Sequence, residues 1–297
     1  MSLPPLTLPQ HDASLNASGD HAAHLQARIG NKLFTTFHSL DSRLFSRRPL
    51  KVLFSERPEW RIPLMAGFAK THHEIHFGEL SPEKFGDFDL VVPLTMRDLR
   101  FLDTVRQLVP QSGIPIPETR SIRFCDDKIL FNETLSKNGY ADLIPAMGGR
   151  LDYPYILKRR TDEWGANSRI IFDESQYEAH AKEIGDPDYF TQRFVNGRHE
   201  YATHILFKDC RIVCSLNIRY TFPTDTPIKG RDQSLYTAVC GCPYLETFAS
   251  ILKFIGFEGL CCVNYKVADG RPYLLEINPR FGGSLSPYFF RFLRHIS

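Results

Sequence analysis

A carboxylate, an amide and a guanidinium follow one another at intervals of two residues near the end of the sequence. They are Glu276, Asn278 and Arg280, in an apolar run that breaks at Pro279 and continues into two glycines. Since alternate residues of a strand point to one face, Glu276 and Asn278 would direct their oxygens to one point. Such oxygens suit Mg²⁺, and Arg280 would reach an anion held beside that cation. The alternative is a plain strand end at which Asn-Pro begins a turn.

A second apolar run, residues 260–267, carries Asn264. Asp269 and Gly270 lie between the two runs, and this pair is typical of a tight hairpin turn. Antiparallel strands joined there would bring Asn264 close to Glu276 across the ladder. Three oxygen-bearing side chains on one hairpin indicate a metal site. Asn264 is neutral, however, and a cross-strand polar filler is the alternative for it.

A third group is typical of nucleotide binding. Lys158 ends an apolar run before a polar loop, residues 159–168, in which small residues can offer backbone N–H groups to a phosphate beside the lysine. The alternative is a basic loop that faces solvent. Further on, residues 192–197 end a strand and turn, which would free backbone groups for an adenine edge and place Glu200 near a ribose.

The bulk composition bounds the kind of protein. The chain has 297 residues, 42% of them hydrophobic, which is enough for a large core in two or three subdomains. A net charge of +2 without a long basic block does not favour nucleic-acid binding. Seven cysteines without a CxxC pair predict reduced thiols in a cytoplasmic protein. No apolar run is long enough for a membrane span, and we expect residues 1–45 to form a flexible or loosely packed leader.

The pattern of strands and helices predicts how these groups are held. Strand and helix patterns alternate over residues 50–109, which indicates a small parallel α/β domain. An extended linker at residues 114–117 leads to a helix that we expect to be capped by Asp126 and to stop at Gly139. From residue 153 onward the pattern changes to strands with two helices.

The order of these pieces resembles the ATP-grasp superfamily of carboxylate–amine ligases. The matching pieces span residues 50–286 and stand in the family's order: Asp127-Lys128, Tyr155-Ile156-Leu157-Lys158, Gln192-Arg193-Phe194-Val195, Gly197 to Glu200, Asn264, and Glu276-Ile277-Asn278-Pro279-Arg280. The resemblance implies an α/β (α+β) architecture. In it a small parallel N-terminal domain, residues 46–117, precedes an ATP-grasp domain, residues 118–297, whose two subdomains (118–190 and 191–297) clamp ATP.

The resemblance also implies roles for individual residues, with ATP and one or two Mg²⁺ ions (or Mn²⁺) as cofactors. Lys128 and Lys158 would contact the ATP phosphates, and a hinge at residues 193–195 would hold adenine. The full implied nucleotide set is Lys128, Lys158, Gln192, Arg193, Phe194, Val195, His199, Glu200 and Leu275, and the implied metal ligands are Asn264, Glu276 and Asn278. Three positions depart from the family pattern, because Gln192 and Asn264 replace more usual acidic residues and the phosphate-covering loop is poor in glycine.

The implied reaction converts a carboxylate to an acyl phosphate, from which an amine displaces phosphate to form an amide. The implied partners are a small-molecule carboxylate, including a sugar- or peptide-linked acid, and an amine, with no nucleic acid and no membrane; a homodimer is common in the family. Arg280, Lys158 and Arg219 are the predicted catalytic residues. A phosphotransferase and a non-catalytic ATP-binding regulator are the alternatives.

The acid-binding side is indicated by the polar loop at residues 219–231. Arg219 is the first candidate for holding a carboxylate or an acyl phosphate, and Lys229 and Arg231 are weaker ones, for which a solvated loop is the alternative. Gly283 and Ser284 are candidate donors to the substrate.

Two other features of the sequence are not assigned to the site. Strand alternation would separate His73 from His72 and His76, so that this histidine cluster does not favour a metal site. The apolar ending at residues 287–293 predicts core or a subunit interface.

Overall fold

A long helix and a parallel sheet form the first part of the fold. The computed structural model describes residues 13–45, 48–110, 114–148, 151–163 and 165–295. Helix α1 (Ala13–Phe45) comes first, and strands β1 (Lys51–Phe54), β2 (Glu74–Phe77) and β3 (Leu90–Val92) then pair in parallel in the order β2-β1-β3. The helices of this unit are α2 (Pro58–Phe68), α3 (Pro82–Phe85) and α4 (Met96–Thr104). The predicted parallel α/β pattern is confirmed.

The second sheet is antiparallel and has the order β5-β4-β6. Its strands are β4 (Tyr155–Arg159), β5 (Arg169–Ile171) and β6 (Tyr189–Arg193), and helices α7 (Glu174–Ala179) and α8 (Ala181–Ile184) pack on it. Helices α5 (Thr119–Asp126) and α6 (Lys128–Leu135) precede it in the chain and bury apolar residues against the third sheet. Asp127, not the predicted Asp126, caps α6, because its carboxylate accepts the Leu130 N–H at 3.0 Å. Since β6 continues to Arg193, the sheet extends past the expected subdomain boundary at residue 190.

The third sheet is antiparallel and has the order β11-β10-β7-β8-β9. Its strands are β7 (His199–Lys208), β8 (Arg211–Thr221), β9 (Tyr236–Cys240), β10 (Gly259–Ala268) and β11 (Arg271–Asn278), and helix α9 (Leu245–Phe254) precedes β10. Asp269 and Gly270 both have positive φ, as a tight two-residue hairpin turn requires. The register pairs Asn264 with Glu276, which confirms the predicted hairpin.

A 3₁₀ helix, Gly283–His295, ends the described chain and fills the core between the first and third sheets. The rings of Phe289, Phe290 and Phe292 are fully buried, and Phe289 packs edge-on against Phe54 of β1. Gly67 of α2 permits this packing, since a Cβ there would lie 2.6 Å from the carbonyl oxygen of Pro287. The prediction that residues 287–293 are core is confirmed.

Helix α1 replaces the flexible or loosely packed leader that the sequence predicts over residues 1–45; residues 1–12 of that leader lie outside the described residues. Asn31 donates to the Thr237 carbonyl at 2.8 Å and accepts the Val239 N–H at 2.9 Å, and so satisfies the open edge of β9. Phe34 packs edge-on against Tyr288 of the 3₁₀ helix. Edge pairing and this contact hold the helix on the sheet. No helix in the described residues, α1 included, is long and apolar enough to cross a membrane.

We expect Asn31→Ala to lower the free energy of unfolding by about 2 kcal/mol, because it leaves one backbone donor and one acceptor of β9 without their partner. Denaturant unfolding followed by circular dichroism measures the change. Gln26→Ala, on an exposed position of the same helix, is the control. Equal stability of the two variants would contradict the packing of α1 on β9.

Candidate functional site

A small cavity between the second and third sheets collects most of the predicted nucleotide residues. Its volume is about 90 Å³, below the roughly 300–1,000 Å³ of ligand pockets. The predicted residues that line it are Lys128, Lys158, Gln192, Arg193, Phe194, Val195, Glu200, Asn264, Leu275 and Glu276. The start of α6, the end of β4 and the hinge after β6 contribute from one side, and β7 and the β10–β11 hairpin contribute from the other.

Two loops close this cavity. Gly165, in the loop after β4, has a φ of +62°, and a Cβ there would lie 3.0 Å from Ile228 and 3.2 Å from the Lys229 carbonyl oxygen. Arg231 donates to the Ser168 carbonyl at 2.6 Å, which ties the second loop to the first. The loop at residues 159–168 has few glycines, but it has one, Gly165, where the two loops touch. Separation of the two loops is the movement that would enlarge the cavity.

Glu276 is the centre of charge at the site. Its Oε1 accepts from the amide groups of Asn264 and Asn278, each at 2.8 Å, and its Oε2 lies 3.4 Å from the Lys128 ammonium. Burial alone would raise the pKa of Glu276, but Lys128 and the two amides lower it to about 2. The carboxylate is therefore ionised at neutral pH. The three predicted metal ligands lie together, as the hairpin register requires.

Lys158 is buried beside Glu276 and is held by Gln192. Its ammonium donates to Gln192 Oε1 at 2.9 Å, and the Gln192 amide donates to Asn132 Oδ1 and to the Pro145 carbonyl, both at 3.1 Å. Burial is the main reason why the pKa of Lys158 falls to about 8. An amide can donate and accept at once, whereas an ionised carboxylate only accepts. Gln192, which replaces the acidic residue more usual in the family, thus links Lys158 to α6.

A second, larger cavity adjoins the first. Its volume is about 510 Å³, and it shares a wall with the nucleotide cavity, formed by Gly165, Glu200, Lys229, Asn264 and Glu276. Asn278 and Arg280 line it just beyond that wall. The Arg280 guanidinium is buried, donates to Glu163 at 3.0 Å, and keeps its Nε without a partner among the described residues. Arg280 thus presents a cation at the junction of the two cavities.

Comparisons with known proteins identify the fold. No protein-family model matches the sequence, and no curated protein is similar enough to count as a relative. Among solved structures, a D-alanine–D-alanine ligase from Bacillus anthracis has a TM-score of 0.54 over 80% of this chain and 89% of its own, at 17% identity. A phosphoribosylamine–glycine ligase from Thermotoga maritima has a TM-score of 0.60 over 83% and 75%, at 16% identity. The chain has the ATP-grasp fold.

A third ATP-grasp structure is an N5-carboxyaminoimidazole synthetase from Staphylococcus aureus complexed with ADP. Its TM-score is 0.54 over 81% of this chain and 73% of its own, at 12% identity. At such identities the likeness concerns the fold. The α/β architecture that the sequence implied is confirmed, and the chemistry must be argued from this chain's own residues.

Two predicted site residues of the ATP-grasp fold, Arg219 and His199, do not reach either cavity. Alternation along β8 turns Ile218 and Tyr220 into the second cavity and Arg219 to the other face of the sheet, opposite Tyr201. His199 stands on that other face as well, where its ring contacts the Thr221 hydroxyl at 3.2 Å. The expected roles of Arg219 in holding the acid and of His199 at the ribose are therefore corrected.

Lys229, the weaker candidate, takes the place expected for Arg219. Its ammonium lies 2.7 Å from Asn264 Oδ1 and 3.2 Å from Glu200, with the Tyr220 ring 4.7 Å away. Burial would lower the pKa of Lys229, but Glu200 and the other negative groups around it together outweigh burial and raise it, so the lysine is charged. The cation thus lies on the wall that the two cavities share.

Sequence reasoning missed Lys266, which supports the hinge of the ATP-grasp fold. Its buried ammonium donates to the carbonyls of Val195 at 3.0 Å and Gly197 at 2.8 Å, and it lies 4.9 Å from the Phe194 ring. A lysine between apolar residues of a buried strand was the available signal, since a buried ammonium needs acceptors. Lys266 fixes the path of the chain where the hinge turns.

We expect the difference in the free energy of unfolding between the wild type and Lys266→Met to change with pH in the alkaline range. Burial lowers the pKa of Lys266 from its ordinary 10.5 to about 8. Between these values the unfolded chain keeps the proton that the folded chain has lost, so the wild type gains stability as pH rises from 8 to 10.5. Urea unfolding at intervals across this range measures the difference. A difference that stays constant across the range would contradict the shift.

The oxygen atoms at this site could supply part of the coordination shell of Mg²⁺. Within the described residues, no group of three or more His, Cys, Asp or Glu side chains could hold a metal. Glu276 brings one carboxylate, and the amides of Asn264 and Asn278 bring neutral oxygens that rotation of each amide would direct inward. Mg²⁺ is commonly bound by one or two carboxylates together with substrate phosphates and water. The residues therefore fit Mg²⁺ when phosphate oxygens complete its shell.

The histidine cluster is separate from this site. His73 is buried, and its Nδ1 accepts the Leu50 N–H at 3.2 Å. Burial, helped by neighbouring His72, lowers the pKa of His73 to about 4, so the ring is neutral. His76 instead contacts Glu74 at 2.7 Å at the surface. His73 and His76 therefore have different partners on different parts of the fold.

Proposed function

We propose that the protein is an ATP-dependent, Mg²⁺-dependent ligase that joins a carboxylate to an amine through an acyl phosphate. The observation that carries this proposal is the wall shared by the two cavities, with Glu276, Lys229 and Asn264 in it and Arg280 beside it. A nucleotide on one side of that wall would end next to a substrate on the other. ATP-grasp ligases among the similar structures, including one with ADP bound, support the same proposal.

The adenosine part of ATP would be bound mainly by backbone and apolar groups of the first cavity. The hinge at residues 193–195 would hold adenine, with Ile156 and Leu275 lining the same cavity, and Glu200 would face the ribose. Lys128 and Lys158, at the Glu276 end, would bind phosphate oxygens, for which a lysine acts as a point charge. Both lysines are already placed by Glu276 and Gln192, so little ordering is needed when the phosphates arrive.

Glu276, Asn278 and Asn264 would hold the metal, one or two Mg²⁺ ions or Mn²⁺, which when bound neutralises charge on the β- and γ-phosphates. Lys229 now contacts both Glu200 and Asn264 and would move with its loop as the cavity opens. Asn264 remains the ligand on which the number of ions depends.

The chemistry would take place at the shared wall. A carboxylate oxygen of the acid, oriented by Arg280, attacks the γ-phosphorus of ATP, and the bond from phosphorus to the β-phosphate oxygen breaks to release ADP. The amine nitrogen then attacks the acyl carbon, inorganic phosphate leaves, and the nitrogen loses a proton. Arg280, Lys128 and Lys158 stabilise the negative charge of the transferring group.

A trapping assay tests this proposal. The protein is incubated with Mg-ATP, pooled carboxylic acids and hydroxylamine, and ADP and hydroxamates are measured by mass spectrometry. Hydroxamates that require both ATP and an acid are expected. ADP with a stable phosphorylated product would indicate a phosphotransferase instead, and ATP binding without turnover across the pool would indicate a regulator. Homodimerisation and a cytoplasmic location remain predictions.

A further inference from the structure

The second cavity has an apolar and aromatic body. The rings of Trp60, Tyr220, Phe222 and Tyr288 line it, and Ile218 lies among them. The rings of Tyr220 and Phe222 are stacked with centroids 6.4 Å apart. Aromatic walls of this kind recognise apolar groups by contact area and ring packing. The part of a substrate that extends away from ATP would therefore meet mostly carbon.

Positive charge in this cavity is confined to one side. Among the described residues that line it, Lys229 and Arg280 are the two cations, and both lie at or next to the wall shared with the nucleotide cavity. A buried phosphate or second carboxylate would need its own cation or set of donors. The aromatic body offers no arginine or lysine for that purpose among these residues.

Most carboxylates that line the second cavity already have partners. Glu59, at the exposed rim, is paired with Arg57 at 2.8 Å, and Asp232 accepts the Ile228 N–H at 2.6 Å in its own loop. Glu200 pairs with Lys229, and Glu276 pairs with Lys128. Among the described lining residues Asp232 alone has no cation partner, and it is exposed, so no buried carboxylate is left to receive a substrate ammonium within the aromatic body.

A neutral hydrogen bond lies at the wall of the cavity. The Ser284 hydroxyl is 2.8 Å from Nε2 of the fully buried His204 and also contacts Tyr220. Burial, together with the charge of Lys229, lowers the pKa of His204 to about 3, so the ring is neutral. His204 thus orients the Ser284 hydroxyl, which lines the cavity and suits an uncharged polar group of a ligand.

We propose that the acid bound in the second cavity carries a single negative charge, its reacting carboxylate, on an uncharged aromatic or branched apolar body. This rests on the proposed function, which places the carboxylate at Arg280. It separates this chain from a ligase whose acid substrate bears a phosphate, a second carboxylate or an α-ammonium, and it argues against a charged sugar- or peptide-linked acid.

Calorimetric binding to the full-length protein, saturated with Mg²⁺ and a non-hydrolysable ATP analogue, tests the inference. The probes are 3-phenylpropionate, phenylalanine and 2-phenylsuccinate, which share a skeleton and differ by an ammonium or a second carboxylate. We expect 3-phenylpropionate to bind about tenfold or more tightly than the other two, since an unpaired buried charge is costly. Equal or tighter binding of phenylalanine or 2-phenylsuccinate, or no binding of 3-phenylpropionate, would overturn the inference.

The aromatic wall is tested with Tyr288→Ala and Tyr288→Phe. We expect Tyr288→Ala to weaken 3-phenylpropionate binding about tenfold and Tyr288→Phe to keep it, with unchanged binding of the ATP analogue. If Tyr288→Ala does not fold, the three-probe comparison on the wild type decides alone. Binding needs no turnover, so selective binding of 3-phenylpropionate by a protein that makes no hydroxamate would contradict the ligase function only. Hydroxamates formed preferentially from diacids or amino acids would contradict the substrate class only.

Discussion

Glu276→Gln is expected to reduce ATP turnover about a hundred- to a thousandfold, the range typical of losing one preorganised electrostatic group. Glu276 is the carboxylate on which Asn264, Asn278 and Lys128 converge, so its neutral analogue would remove the charge that attracts a metal and positions the lysine. ADP release at saturating acid and amine is the measurement. The size of the side chain is conserved, so the loss would report charge.

The control for this variant is Glu246→Gln, an exposed carboxylate in the first turn of α9. Thermal unfolding of both variants checks that the fold is kept. We also expect Glu276→Gln to need a higher Mg²⁺ concentration for half-maximal turnover, whereas Glu246→Gln should match the wild type. Full turnover in Glu276→Gln would contradict its assignment as a metal ligand.

Arg280→Met is expected to lower the rate constant for turnover about a hundredfold or more while the KM for ATP changes little. Arg280 lines the second cavity and not the nucleotide cavity, so its loss removes charge where the acid reacts and leaves the nucleotide contacts in place. Steady-state kinetics with ATP and acid varied separately gives both constants. Arg280→Lys keeps the charge and should retain intermediate activity.

Arg271→Met, at the exposed start of β11, the strand that precedes Arg280, is the matched control for Arg280→Met. Because Arg280 is buried and paired with Glu163, its removal is also expected to destabilise the fold, by about 2 kcal/mol. Kinetics are therefore measured well below the unfolding temperature of each variant. Equal turnover in the two variants would exclude Arg280 from the reaction.

Local patterns predicted the part of the site that lies on one hairpin. Asn264, Glu276 and Asn278 come together because strand alternation and an Asp-Gly turn fix their relative positions within a short stretch of chain. The same locality explains why the parallel α/β unit was predicted from the alternation of strands and helices. The arrangement of segments that are distant in sequence was predicted from the family resemblance. The comparison with solved structures confirms that arrangement at the level of the fold.

The position of Arg219 depends on the register of β8, which the sequence alone does not determine. Arg219 and Tyr220 are neighbours on β8, and a shift of one residue in register decides which of them faces the cavity. Lys229 reaches Glu200 and Asn264 only because its loop folds back over β7 and β10. Lys266 on β10 reaches the hinge that precedes β7, about seventy residues earlier in the chain. None of these contacts leaves a periodic pattern.

Helix α1 shows a second limit of local reasoning. The first thirty residues are rich in proline, histidine, alanine and serine and lack an apolar signal-peptide core, so their composition predicted a leader. Asn31 on the edge of β9, a strand that sequence reasoning also omitted, and the contact of Phe34 with Tyr288 hold the helix. Contacts of this kind, made at long range, cannot be read from composition.

The most direct test of an acyl phosphate at the shared wall is the fate of the substrate's carboxylate oxygen. An acid labelled with ¹⁸O in its carboxylate is converted with Mg-ATP and an amine, and the inorganic phosphate is analysed by mass spectrometry. Attack by the carboxylate on the γ-phosphorus predicts transfer of one labelled oxygen to phosphate for each amide formed. Amide formation with unlabelled phosphate would contradict the proposed reaction.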